Sequence, residues 1–170
     1  GTLVGYTGSI ALLDARGRHE LRGLTAASLT RAVTVVGARS HLFAGTIREN
    51  LMIALPAESA AATGSDADAL LREASVLDLI DTLPDGLDTQ VGELGDRLSE
   101  GERQRIGLAR VFLRNADLVL FDEPTSRLDA LNEAVILQSI NALADERDAA
   151  IVLVSHRAST MRIADRVLRM

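Results

Sequence analysis

Hydrophobic and polar positions alternate from Ser9 to Leu13 and give way to the turn-forming stretch Asp14–Gly17, which predicts a strand followed by a reversal. "LTAASLTRA" (24–32) has the spacing of a short helix, and "VTVVG" (33–37) that of a short buried strand. "GTIRENLMIAL" (45–55) opens with Thr46 and carries Glu49 three residues later, the pattern of a capping box. The small, polar run "PAESAAATGSDAD" (56–68) predicts a surface loop. "SDADALLREASVLDLIDTLP" (65–84) predicts one or two helices ended at Pro84. "DGLDTQVGELGDR" (85–97) is rich in Gly and Asp and predicts a loop. From Ser99 the period becomes helical, with Ile106, Ala109, Phe112 and Leu113 on one face. The continuous apolar run of "DLVLFDEP" (117–124) predicts a fully buried parallel strand. A long amphipathic helix, "DALNEAVILQSINALADER" (129–147), leads to a second buried strand in "AAIVLVSH" (149–156). A short helix, "ASTMRIAD" (158–165), and a final strand, "RVLRM" (166–170), complete the series.

Strands and helices alternate through the second half, so the predicted fold class is α/β with a mostly parallel sheet. Residues 45–114 carry few strand signals and are predicted to form a helical lobe beside a sheet core of 1–44 and 115–170. No internal repeat is present.

Composition narrows the class. A chain of 170 residues suits one domain with a sizeable core. Aromatic residues are only 2% against 47% apolar overall, so that core must be built from Leu, Ile, Val and Ala. Cysteine is absent, which excludes disulfides. The formal net charge of −6 argues against nucleic acid as a partner, since phosphate binding needs a basic face. No apolar run reaches the roughly 18 residues of a membrane helix. The chain opens without an initiator Met or signal peptide and stops at "ADRVLRM", which suggests a piece of something longer.

Three segments carry candidate chemistry. In "LVLFDEPT" (118–125), Asp122 and Glu123 stand at a strand's carboxyl end, where parallel sheets place their ligand sites. One carboxylate can hold Mg²⁺ through its water shell. The other can orient or deprotonate an attacking water, a role worth about 10²–10⁴-fold in rate. Two acids on a strand that simply ends in solvent would look the same. "VLVSHR" (152–157) repeats the geometry with Ser155 and His156, and a histidine there can bond a phosphate oxygen or be merely exposed. In "LSEGERQRIGLAR" (98–110), Ser99 is a candidate N-cap and Gly101 permits close approach to the backbone, so the helix mouth can receive an anion. An ordinary capped helix with acids in its first turn is the plain alternative.

In this order and at this spacing, the three segments resemble the nucleotide-binding domain of ABC transporters, with its P-loop NTPase-like fold. The resemblance covers nearly the whole chain. "HLFAGTIRENL" (41–51) resembles the exporter-type stretch that docks on the membrane subunit. "LPDGLDTQVGELGDRLS" (83–99) resembles the exporter segment before the signature, with Glu93 in the loop that senses the membrane domain. The resemblance implies ATP and Mg²⁺ as cofactors, with Asp122 as the Mg²⁺ residue, Glu123 as the catalytic glutamate and His156 as the switch histidine. It further implies that Ser99 and Gly101 are signature residues and that Asp129 communicates across a dimer. The implied partners are a second nucleotide-binding domain and a transmembrane domain, at the cytoplasmic face of the cell membrane.

Four departures qualify this picture. No G-x-x-x-x-G-K-[ST] stands in the chain, and "GYTGSI" (5–10) has no Lys. The backbone cradle and its Lys supply most phosphate contacts, so the chain alone is expected to bind ATP poorly and to lack the first strands of its sheet. Ala38 occupies the place of the family's Q-loop glutamine. The signature reads LSEGE, in which Glu100 and Glu102 add negative charge beside a partner's phosphates. The chain also ends soon after its last predicted strand.

A kept Glu123 and His156 with a degenerate signature implies one half of a heterodimeric exporter. "ARSHLFAGTIRENL" (38–51) somewhat resembles heterodimeric thiol exporters of the cytochrome bd assembly kind, mainly through Arg39 and His41. Two other functions stay open on these residues. One is a non-catalytic regulatory cassette, favoured by Ala38 and Glu100. The other is a soluble ABC ATPase of DNA repair or translation, opposed by "FAGTIRENL" and the acidic charge.

Overall fold

The computed structural model describes residues 7–55, 77–114, 116–147 and 149–169. The loop predicted over 56–68, and the part of the helix predicted over 65–84 that precedes Leu77, lie outside the described residues. So does the start of "GYTGSI".

An antiparallel hairpin of β1 (Ala11–Asp14) and β2 (Gly17–Glu20) comes first, with Leu12 opposite His19. Asp14 closes the turn by accepting from the Arg16 and Gly17 amides. Helix α1 (Ala26–Ala32) is capped by Thr25, whose side chain accepts from the Ser28 amide. It runs straight into β3 (Val33–Val36). Helix α2 (Ile47–Met52) has the predicted capping box: Thr46 Oγ1 accepts from the Glu49 amide, and Glu49 returns a carboxylate to the Thr46 amide. The short α3 (Leu77–Ile80) follows, then two 3-10 turns at Gly86–Asp88 and Glu93–Gly95. A short bridge pairs Thr46 with Gln90, so the predicted loop lies pinned on the start of α2. Helix α4 (Glu100–Arg114), β4 (Leu118–Asp122), α5 (Ala130–Arg147), β5 (Ala150–Val154) and α6 (Ala158–Met161) complete the order.

β3, β4 and β5 form a parallel sheet in that order, with Val36, Phe121 and Leu153 in register. Because the strands run the same way, Gly37–Ala38, Asp122–Glu123 and Ser155–His156 emerge at one edge of the sheet. This is the α/β fold with a parallel sheet expected from the alternation of elements.

One core serves the whole. Leu42, Ile47 and Leu51 beside α2 join Ile106, Ala109 and Phe112 of α4, Val119 and Phe121 of β4, and Ile136 and Ile140 of α5. The four predicted α4 positions are all buried. In α5 the buried residues Ile136, Leu137, Ile140 and Leu143 follow helical spacing, which makes one face of it apolar.

Two expectations fail. β4 and β5 are not buried on both faces. Val119, Phe121, Ile151 and Leu153 pack on the helices, while Val35, Val152 and Val154 on the opposite face are 67%, 46% and 48% exposed. Among the described residues, α4 and α5 cover one side only. The final predicted strand does not form: residues 166–169 have no regular structure, and Val167 and Leu168 are exposed. An apolar pattern alone makes no strand without a neighbouring ladder to satisfy its backbone.

Candidate functional site

The site is built where β4 and β5 end. Asp122 is the last residue of β4, paired with Val154, and its side chain is exposed. Glu123 turns the chain sharply, with φ +52°, in the left-handed region that non-glycine residues seldom enter. Both of its backbone groups are held. Its amide donates to Val154 O at 2.8 Å, and its carbonyl accepts from the Ser126 amide and hydroxyl. Strain of this kind costs roughly 1–3 kcal/mol and collects at functional sites.

The turn aims the Glu123 carboxylate across to β5. Oε1 lies 2.8 Å from Nδ1 of His156, a ring otherwise largely in solvent. An ionised carboxylate only accepts, so Nδ1 carries the proton and Nε2 faces outward. The other oxygen, Oε2, is buried without a hydrogen-bond partner. One carboxylate thus orients a histidine with one oxygen and keeps the second bare. A carboxylate at a strand's end that holds an exposed imidazole in place is an arrangement suited to orienting that ring toward a bound group.

These residues can be tested against the cofactors that the resemblance implies. Among the described residues no cluster of three or more His, Asp or Glu could hold a metal. A metal here would rest on one or two carboxylates plus phosphate oxygens, which is how Mg²⁺ binds. Asp122 fits that part. The phosphate cradle does not fit this sequence: all 18 basic residues are Arg, so no P-loop Lys is present. The 170 residues bring two carboxylates and a histidine, and no lysine, to the carboxyl ends of the sheet.

The helix mouth at Ser99 is a capped helix start with acids in its first turn, the plain alternative of the sequence reading. Ser99 and Glu102 form a second capping box, with the Ser99 amide donating to Glu102 Oε2 at 2.7 Å and the Glu102 amide to Ser99 Oγ at 3.3 Å. Glu100 turns back to Arg103, Oε2 to Nη2 at 2.6 Å, while Arg103 Nη1 donates to Gly95 O and Leu98 O. The two glutamates are therefore tied within their own turn. Gly101 is buried, and a Cβ there would lie 2.7 Å from Asn132 Oδ1. Its missing side chain admits the start of α5.

Asp129 caps α5 by accepting from the Leu131 and Asn132 amides, and its second oxygen accepts from Asn132 Nδ2. The Asn132 bonds, backbone first and then side chain, hold its carboxyl below the ordinary 3.8. Asn132 Oδ1 also accepts from Arg105, which links α5 to α4. The structure thus brings Asp122, Glu123 and His156 together at the sheet edge. Ser99, Gly101 and Asp129 belong to a separate junction of the α4 and α5 starts.

Sequence reasoning missed the Asn132 bridge, because an Asn at a helix start signals nothing beyond capping. It missed Gln104 as well. Gln104 is buried on α4, and its Nε2 donates to Ala38 O at 3.1 Å. The loop where the family has a glutamine is therefore held, through its own backbone, by a side chain from α4.

A cleft of about 470 Å3 lies between β3, the 37–43 loop and α4, lined by Val35, Phe43 and Ile53 with Arg39, His41 and Arg114. Its floor is braced by Arg110, which donates to Asn50 O, Asn50 Oδ1 and His41 O and stacks over Phe43. Burial draws the Arg110 guanidinium below its ordinary value, and it stays charged.

The parallel sheet, the acid–histidine pair at its carboxyl edge and the capped helix beside it define a domain of the P-loop NTPase class. Residues 3–126 match the family model for ABC transporters, and the chain belongs to that family. It is 43% identical over 148 residues to a probable ABC transporter ATP-binding/permease protein of Haemophilus influenzae, covering 87% of this chain and 26% of that protein. It is 45% identical over 137 residues to the mycobactin import ATP-binding/permease protein IrtB of Mycolicibacterium thermoresistibile, covering 81% and 23%. A bacterial Atm1-family ABC exporter with ATP bound superposes with a TM-score of 0.69 at 36% identity, covering 84% of this chain and 24% of that one. The chain spans about a quarter of the length of these relatives.

Proposed function

We propose that this chain is the ATP-hydrolysing motor domain of an ABC exporter, working at the cytoplasmic membrane face as one of a pair. The observation that carries the reading is the Glu123–His156 pair, held 2.8 Å apart at the aligned carboxyl ends of β4 and β5. Asp122 would hold Mg²⁺, which when bound offsets the charge of the phosphates. Glu123 orients and deprotonates the attacking water, and His156, fixed through Nδ1, presents Nε2 to the phosphate side. Ser99 opens the helix that faces the partner's nucleotide, and Asp129 faces the partner. Residues 45–114 act as the signature lobe on a core of 1–44 and 115–170, and the cleft beside Phe43 receives the membrane domain.

The kept Glu123 and His156 beside the degenerate LSEGE signature favour a heterodimer in which this domain hydrolyses through its own Glu123 and caps the weaker site. A related protein is named for import and the structural neighbour for export, so the motor chemistry is common to both directions. In the assembled transporter, Glu123→Gln should lower ATP turnover at least about 10²-fold. Retention of more than a tenth of the activity would sink the catalytic assignment. Equal turnover of the chain's transporter subunit with and without its partner would sink the heterodimer.

A further inference from the structure

The loop bearing His156 is anchored by a contact that no part of the proposed mechanism uses. Glu133, on the first turns of α5, is mostly buried. Its Oε2 accepts from Arg157 Nη1 at 2.5 Å, and its Oε1 accepts from the Ser159 hydroxyl. Arg157 follows His156 directly, and its other terminal nitrogen donates to Leu128 O at 3.4 Å. Thr125 and Thr160, both buried, meet through their hydroxyls at 3.5 Å. The 155–161 segment is thereby fastened to the 125–133 segment by side-chain contacts, one of them to the Leu128 carbonyl.

Position gives this anchor its meaning. The Glu133 amide donates to Asp129 O at 2.9 Å, so the two acids lie one helical turn apart. Asp129 is exposed and His156 largely so, and each is free to meet a ligand or partner. Between them stands a part-buried charge pair, where water screens the attraction less than at an open surface. A shift of the α5 start moves Glu133, and Arg157 and its neighbour His156 must follow.

We propose that Glu133 is a positioning residue that couples the Asp129 loop to His156 through Arg157. The proposal rests on the motor reading for its kinetic consequence. Glu133 touches no reacting atom; it sets where the imidazole stands relative to Glu123.

The test uses Glu133→Gln, which keeps the shape and the Ser159 bond but removes the charge. In the assembled transporter, kcat is expected to fall roughly ten- to a hundredfold, while KM for ATP stays within about twofold. The exchanged pair Glu133→Arg with Arg157→Glu is expected to recover at least about a third of kcat. Asp129→Ala combined with Glu133→Gln is expected to cost no more than the worse single change. An unchanged kcat, a loss carried by KM, failure of the exchange in folded protein, or additive losses would each overturn the coupling. Absence of ATP turnover in the unmodified transporter would sink the motor reading alone. The inference is then decided in the 170-residue chain by the nuclear Overhauser contact between the His156 ring and Glu123. Glu133→Gln should weaken it by half or more and the exchange should restore it; an unchanged contact would overturn the proposal.

Discussion

Glu100 and Glu102 stand in one helical turn, yet the structure gives them different tasks. Glu102 completes the Ser99 capping box, so removing its carboxylate frees a helix-end amide. Glu102→Ala should destabilise the chain by about 1 kcal/mol, while Glu102→Gln, which can still accept, should cost under half of that. Urea unfolding of the three chains decides it, and equal stability of all three would show that the box contributes nothing. Glu100 is spent on Arg103, so its charge is partly answered before any phosphate arrives. Both acids were visible in the sequence as extra charge, but their partners were not. Charge is a property of a residue type, whereas neutralisation depends on where a neighbour's side chain ends.

Asp129 offers a second residue-scale check, through pH. Its folded carboxyl titrates below the ordinary 3.8 because Asn132 donates to its ionised form. A depressed pKa contributes stability above the unfolded value and loses it as pH falls through the folded one. Asp129→Ala should therefore be less stable than the parent at pH 7. The gap should narrow below about pH 3.8 and vanish once both states are protonated. A gap that is constant from pH 7 to pH 2.5 would mean that the cap, not the charge, is all that matters.

At the scale of elements, α4 and α5 meet through a contact that needs the absence of a side chain. A Cβ on Gly101 would strike Asn132, the residue that braces Asp129 and binds Arg105. Gly101→Ala should cost about 1–3 kcal/mol through overpacking. Asn132→Ala vacates the space, so the double variant should lose less than the sum of the two single changes. Strict additivity in thermal or denaturant unfolding would place the strain elsewhere.

The elements themselves were largely legible, for a local reason. Thr46 with Glu49 announces a helix start, and the runs around Val35, Leu120 and Val152 announce parallel strands. Those signals lie within a few residues of one another. The contact between Gly101 and Asn132 spans two elements, and the sequence read Gly101 as room for a ligand. "RVLRM" failed for the same reason in reverse: its apolar pattern is correct for a strand, but a strand also needs a neighbour's backbone.

At the scale of the whole molecule, the sheet carries its helices on one side among the described residues. Val35, Leu120 and Val152 line up across β3, β4 and β5 on the opposite face, and Val35 and Val152 are largely open to water. The sequence could not show this, because an apolar run reads as buried on both faces until the covering layer is located. A contiguous apolar face open to water invites self-association, and a strand that among the described residues is paired on one side only adds a hydrogen-bonding edge to it. Thr keeps the branched shape that strands favour while adding a hydroxyl that open positions can hydrate. Val35→Thr with Val152→Thr should therefore raise the monomer fraction of the chain in sedimentation at micromolar concentration and lower the binding of a hydrophobic dye about twofold. Its unfolding free energy should stay within about 1 kcal/mol of the parent, since neither side chain packs in the core. A loss well above that would show that these valines are covered in solution and that the sheet has a second layer. Unchanged association would move the sticky surface to the β5 edge, where a change that blocks pairing rather than wetting, such as Val154→Pro, would have to act.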